Sequence, residues 1–179
     1  QLNRQFASAS AQGAESSNPY TYGNWVPLGS EGTPARFTVF QVTVRNYQYP
    51  KVLLEPIKAR LETSNNRHYQ AMSYAQLDEY YRAYWVGRTG RGRELFEART
   101  DLLRRTLFRA DPVFSGQEAR GYLVFPALHD DVTDLRVSIP EIIVRFDYAE
   151  NPVEYIAVQY DFAREVFRGY HPPAELARE

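Results

Sequence analysis

The chain has 179 residues, of which 44% are hydrophobic and 24% charged, and its formal net charge is −1. A chain of this length is expected to form one domain, and its near-neutral charge gives no general reason to expect nucleic acid or an anionic membrane as a partner. Cysteine is absent, which excludes disulfide scaffolds, thiolate zinc sites and cysteine nucleophiles. No apolar run approaches the roughly 18 residues that a membrane-spanning helix needs.

Residues 1–35 are poor in aliphatic side chains and rich in Ser, Ala, Gln, Gly and Asn, a composition typical of a flexible arm or tether. Three aromatic residues in it, Tyr20, Tyr22 and Trp25, are predicted to dock on the main body or on a partner. The chain begins at Gln1 without methionine, so we expect that an upstream segment precedes it, for example an export signal, a tag or a disordered region.

Period-two patterning begins at Phe37. In "FTVFQVTVRNY" the apolar residues Phe40, Val42 and Val44 alternate with polar ones, which predicts a half-buried strand. A second strand is predicted within 51–63, and Pro56 indicates an edge position or a bulge there.

Residues 73–109 are predicted to form a helical hairpin. Ser73 and Gln76 have the spacing of a capping box, and Gly87 is placed as the residue after the helix end. A second helix is predicted over 94–109. The apolar stripe of the first helix comprises Leu77, Tyr81, Tyr84 and Trp85.

Strand patterning returns in "GQEARGYLVFPAL", "DLRVSI", "EIIVRFDY" and "VEYIAVQYDF", and "AENP" at 149–152 predicts a turn. Six or seven strands plus one helical insertion predict a mainly β fold, an antiparallel sandwich over 36–165 followed by a polar tail at 166–179. One face of the last strand is predicted to carry Ile156, Val158, Tyr160 and Phe162.

The stretches "VTVRN" (42–46) and "SGQEARGYLVFP" (115–126) resemble bacterial extracytoplasmic Ig-like domains of the kind often found in lipoproteins and envelope proteins. The resemblance implies an Ig-like β-sandwich, from whose plain pattern the inserted hairpin departs. It further implies a non-enzymatic binding or assembly module without a catalytic site or cofactor. Such a module would lie in the periplasm or at the cell surface, with or without a lipid anchor, and would have another envelope or membrane-complex protein as its partner.

The run "GRTGR" at 87–91 resembles the arginine-finger motif of the DEAD-box helicases. A helicase also needs a phosphate-binding G-x-x-x-x-G-K-[ST] loop and an acidic metal site. The sequence has neither, so we reject a helicase function. Two interpretations stay open: the loop binds an anion through arginine and backbone N–H groups, or it is simply a soluble turn.

Charge is unevenly distributed. Residues 82–109 hold eight arginines and three carboxylates, whereas residues 129–165 hold nine carboxylates and three arginines. The two regions pair internally or form docking surfaces. Because Arg and Tyr are enriched at protein interfaces, the hairpin and the arm are the predicted partner site, with contacts from Trp25, Tyr80, Tyr84, Trp85, Arg88, Arg91 and Arg93.

Two other classes of site match parts of the sequence. The 14 tyrosines make glycan binding the alternative function. The loop containing His129, Asp130, Asp131 and Asp134 has carboxylates that suit a hard cation, but its spacing fits neither an EF-hand nor a zinc signature. We interpret it as a solvated connection and predict no metal, cofactor or catalytic residue.

Overall fold

The structure, a computed structural model, describes residues 17–22, 34–85 and 90–166. Its content is 44% strand and 21% helix, so the mainly β class with antiparallel sheets and two helices is confirmed. The elements in chain order are β1 (Thr38–Asn46), β2 (Lys51–Val52), a 3-10 turn (Pro56–Lys58), β3 (Arg60–Thr63), β4 (His68–Gln70), α1 (Tyr74–Trp85), α2 (Arg91–Thr106), β5 (Val113–Phe114), β6 (Gln117–Phe125), β7 (Asp134–Phe146) and β8 (Pro152–Ala163).

The strands form three antiparallel sheets. One has four strands in the order β4-β3-β7-β8, and β1 pairs with β6 over its full length, from Thr38 opposite Phe125 to Asn46 opposite Gln117. The short β2-β5 ladder is tied to β7 by an antiparallel bridge between Leu53 and Ile143. This bridge connects the small sheet to the four-stranded one.

A first hydrophobic core lies between the inner face of the β1-β6 sheet and the four-stranded sheet. Phe40, Val42 and Val44 pack against it, as their alternation predicts, and Leu123 and Phe125 of β6 are buried in it. The facing sheet contributes Leu61, Leu135, Val137, Ile139, Ile142 and Val144.

A second core covers the opposite face of β6. Tyr122 and Val124 are buried there against Leu77 and Tyr81 of α1 and Leu103 of α2. The helices therefore form a layer on the β1-β6 sheet, and residues 121–125 of β6 are buried on both faces. The sequence pattern predicted this strand but not the helical layer that buries its second face.

The capping box that opens α1 is confirmed. Ser73 Oγ accepts a hydrogen bond from the Gln76 amide at 3.2 Å, and Gln76 Oε1 accepts one from the Ser73 amide at 2.8 Å. Two donors at the helix start are thereby satisfied.

The predicted bounds of the second helix are wrong by three residues at each end, because α2 spans Arg91–Thr106 rather than 94–109. Leu107 is already extended and forms a parallel bridge with Tyr122. The Phe108 amide then donates to the Tyr122 carbonyl at 3.0 Å. Pairing with β6 thus ends the helix before its apolar periodicity ends.

A close contact secures this junction. A Cβ atom on Gly121 would lie 2.4 Å from Phe108 Cα and 2.5 Å from Phe108 N. Only glycine lets the backbone after α2 approach β6 so closely.

Two strand predictions need correction. Residues 51–63 are two strands, β2 and β3, separated by the 3-10 turn that begins at Pro56, since proline suits the first position of a turn. "DLRVSI" and "EIIVRFDY" were predicted as separate strands but form the single strand β7. A bulge between Ile139 and Ile142 accommodates Pro140, and Glu141 has a left-handed φ of 55°.

Residues 17–22, within the predicted arm, lie against the second core. Tyr20 is buried, with its hydroxyl 2.6 Å from Thr106 Oγ1, and the Tyr81 hydroxyl donates to the Pro19 carbonyl. Burial raises the pKa of Tyr20 to about 12. Within the described parts of the chain, neither helix has the length and apolarity needed to cross a membrane.

Candidate binding groove

An open apolar groove of about 620 Å³ runs between β1 and β8. Both of these strands lie at the border of their sheets, so the first core is exposed between them rather than covered. We call this space the β1/β8 groove. Its side chains come mainly from three strands, with Phe40, Val42 and Val44 of β1, Val137, Ile139, Ile142 and Val144 of β7, and Ile156, Val158, Tyr160 and Phe162 of β8.

The shared face predicted for β8 is confirmed, since these four residues of the strand line the groove. They are nevertheless poorly covered. Ile156 is 38% exposed, Tyr160 56% and Phe162 42%. Large apolar side chains left in water at the edge of a core are typical of a surface that a partner covers.

Both strands that border the groove have an unpaired edge. β8 pairs only with β7, and β1 pairs only with β6, among the residues that the structure describes. Each unpaired edge presents backbone N–H and C=O groups that can accept another strand. The groove therefore offers apolar contacts and backbone hydrogen bonds together.

Asn46 shapes one end of the groove. Its side chain donates to the carbonyls of Tyr49 and Val113, both at 2.8 Å, and accepts a hydrogen bond from the Tyr49 amide at 3.0 Å. Because Asn46 is buried, these bonds fix the turn after β1 and hold Tyr49 against the first core.

The carboxylates of β8 are paired within their own sheet. Asp161 accepts a hydrogen bond from Arg136 of β7 at 2.6 Å, and this bond holds the pKa of the Asp161 carboxyl below its usual range. Glu154 lies 3.0 Å from Arg145 of β7. The border of the groove consequently carries little unbalanced charge.

The partner site predicted on the hairpin and arm lies largely outside the described residues. Trp25 and Arg88 are outside them. Tyr84, Trp85 and Arg91 lie within the helix bounds, but their side chains are not described. The predicted contacts of these five residues stay predictions.

The structure describes two residues of that predicted site, Tyr80 and Arg93. The Tyr80 ring packs edge-on against Phe37, with centroids 5.2 Å apart, so it belongs to the border of the second core. Arg93 is exposed and pairs with Glu97 at 2.9 Å on the same helix. The structure does not bring these two side chains into one cluster.

Several charged residues of the two regions are paired with near neighbours. Arg82 pairs with Asp78 in α1, and Arg105 pairs with Asp101 in α2. The arginines of β7 bind the carboxylates of β8. These ion pairs join neighbouring side chains rather than joining the hairpin to the acidic strands.

The acidic loop is bound by its neighbours. Both carboxylate oxygens of Asp131 accept hydrogen bonds from Arg67 at 2.7 Å, and Asn65 donates a third at 3.0 Å. Over the described ranges, no group of three His, Cys, Asp or Glu residues is placed to hold a metal ion.

The sequence pattern did not predict the groove. A signal was present in the last strand, because residues 152–163 contain no Lys or Arg and carry apolar side chains on both faces. Exposed edge strands usually carry lysine or another blocking feature. The strand that lies across the groove from β8 is determined by the arrangement of the two sheets, which the sequence pattern does not reveal.

Comparisons with known proteins identify no relative, since no family model, curated protein or solved structure matches the chain.

Proposed function

We propose that the chain is a non-enzymatic protein-binding or assembly module, an Ig-like β-sandwich with an inserted helical hairpin. In this proposal it acts outside the cytoplasm as an accessory or structural subunit of a membrane-associated or envelope complex. Its binding site is the β1/β8 groove.

The observation that carries the proposal is the coincidence of exposed core residues with two unpaired strand edges. An extended peptide that enters such a groove gains main-chain hydrogen bonds from an edge and buries alternate side chains in the core. The apolar side chains of β8 increase the affinity for a partner strand. The positions of the side chains along the groove fix the register in which that strand binds.

A protein segment suits this site better than a glycan. Sugar sites present aromatic rings on a common platform. Tyr160 lines the groove. Tyr155 lies five residues earlier, and because side chains alternate along a strand it points to the other face of β8. Tyr47 and Tyr49 line the groove near the turn after β1, with polar residues of β1 beside them. Apart from Tyr160 and Phe162, the walls formed by β7 and β8 are aliphatic and offer few hydrogen-bonding groups to a polyol.

The test compares the full chain with a groove variant and a matched control. Val44→Lys places a charge in the groove, whereas Ala75→Lys places the same charge at an exposed position of α1 that does not line the groove. Each protein is immobilised and exposed to an envelope extract, and retained proteins are quantified by mass spectrometry.

We expect specific proteins to be retained by the wild type and by Ala75→Lys and lost with Val44→Lys. Equal retention by all three proteins would contradict the groove assignment. A parallel titration against polysaccharides tests the alternative function, and glycan binding that Val44→Lys abolishes would replace the proposal.

The proposed location rests on the resemblance of residues 42–46 and 115–126 to extracytoplasmic domains. Expression of the native gene, followed by separation of the envelope and cytoplasmic fractions and immunoblotting of each, tests it. Recovery of the protein in the cytoplasmic fraction alone would contradict an extracytoplasmic location.

A further inference from the structure

The strand β8 has twelve residues, and at about 3.3 Å per residue its unpaired edge is about 40 Å long. Natural proteins protect such edges with lysine, proline, bulges or inward-pointing charges. β8 has Pro152 at its first position and a register shift between Pro152 and Glu154, and its two carboxylates are bound by Arg145 and Arg136 of β7. Beyond Glu154, none of the described residues covers this edge, which is long and apolar.

We propose that β8 pairs with β8 of a second copy of this chain, in antiparallel orientation about a two-fold axis at Gln159. The inference rests on the proposed function, because it names one occupant of the border of the β1/β8 groove. The two four-stranded sheets become one continuous sheet.

The register follows from the side chains of β8. With Gln159 opposite its own copy, Ile156 faces Phe162 of the second copy and Val158 faces Tyr160. These are aromatic and β-branched cross-strand pairs, which are favourable. All four side chains lie on the groove face, so the exposed residues of each copy cover those of the other.

Charge agrees with this register. Asp161 falls opposite Ala157 of the second copy, so like charges do not meet. A two-fold axis at Val158 would instead place Glu154 opposite Phe162 on the groove face. An axis between two residues is excluded by the pleat, because it would set a groove-facing residue opposite an outward-facing one, whereas directly opposite residues of an antiparallel pair point to the same face.

The second copy also completes the binding site. A two-fold axis perpendicular to the sheet places β1 of both copies on the same side, so that the two grooves open into each other. The composite groove has a β1 edge along each side. One strand pair is a small interface, so we expect a dissociation constant on the order of micromolar.

Sedimentation velocity of the full chain from about 1 to 100 µM, a range that brackets such an affinity, measures the association. Gln159→Lys brings two like charges together at the axis but places one exposed charge on the isolated chain. We expect it to raise the dissociation constant about five- to tenfold. Gln159→Glu should do the same, and a mixture of the two variants should restore association.

The absence of native cysteine allows a test of the register. With Gln159→Cys the two thiols lie on residues directly opposite each other, with Cβ atoms about 5 Å apart, and mild oxidation should form a dimer. With Ala157→Cys, also exposed, the two residues lie about 13 Å apart and should not cross-link.

A wild type that stays monomeric at the highest concentration overturns the inference, as does equal cross-linking at the two positions. Neither result affects the proposed function, which fails if Val44→Lys and Ala75→Lys retain the same proteins or if the groove binds a glycan. A monomer whose partner retention depends on Val44 would separate the two proposals.

Discussion

The ring of Phe162 on β8 lies 5.0 Å from the ring of Phe40 on β1, measured between centroids, with the ring planes tilted by 51°. Phe40 also packs edge-on against Phe125 of β6 at 5.9 Å. Three strands from two sheets thus meet through three rings. The outer ring, Phe162, is 42% exposed, and the inner one, Phe125, is fully buried.

The difference in burial between Phe125 and Phe162 predicts that replacing each with alanine lowers the stability by unequal amounts. Phe125→Ala should lower the free energy of unfolding by about 3 to 5 kcal/mol, as expected for a buried phenylalanine, and Phe162→Ala by only about 1 to 2 kcal/mol, because water already reaches its ring. Urea unfolding of dilute protein measures both. Equal losses would mean that something covers Phe162 in solution.

The contact between Gly121 and Phe108 predicts an intolerant position. Gly121→Ala should cost about 3 kcal/mol, because the added methyl group meets backbone atoms that cannot rotate away. The Phe108 amide should also lose protection from hydrogen exchange as the strand after α2 moves off β6. Gly116→Ala is the control, since its φ of +80° is unfavourable but nothing lies within 4 Å, and it should cost about 1 kcal/mol.

Tyr20 predicts a change in stability at alkaline pH. Its pKa of about 12 in the folded chain exceeds the ordinary value of 10.0, so the stability that the neutral phenol contributes is present below pH 10 and is lost as pH rises toward 12. Tyr20→Phe should cost about 1 kcal/mol at pH 7 through the lost bond to Thr106. Above pH 10 the wild type should lose about 2 kcal/mol that the variant keeps, and the order of stability should reverse.

Chemical unfolding of both proteins at pH 7, 10 and 12 measures this difference. A constant gap between wild type and Tyr20→Phe across that range would show that the Tyr20 hydroxyl is not buried in solution.

The capping box predicts a coupled pair. Ser73→Ala should destabilise the chain by about 1 kcal/mol, and Gln76→Ala should destabilise it less. The double variant should cost less than the sum of the two, because each side chain bonds the backbone of the other. Glu79→Ala, at an exposed position in the same helix, should stay within about 0.5 kcal/mol of the wild type. Additive effects at Ser73 and Gln76 would contradict a reciprocal cap.

Local patterns in the sequence predicted the parts of the fold that local physics determines. The alternation at Phe40, Val42 and Val44 identified β1 because all three side chains lie on one face of the strand and pack against the first core. The cap at Ser73 and Gln76 identified the start of α1 because capping is a contact within one turn. Both signals lie within a few residues of the element they define.

The errors arose where distant contacts decide the outcome. Leu107 continues the apolar stripe of α2, but pairing with Tyr122 draws it into an extended conformation. Residues 134–148 were predicted as two strands, although a bulge at Glu141 carries β7 past Pro140. The groove was missed for the same reason, because alternation in β8 shows that one face is apolar but not whether another strand covers that face.

The burial of residues 121–125 of β6 on both faces affects how the molecule unfolds. Leu123 and Phe125 belong to one core and Tyr122 and Val124 to the other, so neither core can open without disturbing the shared strand. We therefore expect the helical layer and the sheets to unfold in one cooperative transition rather than in separate steps. A pull applied at the groove, through β1, would reach the helices by way of β6.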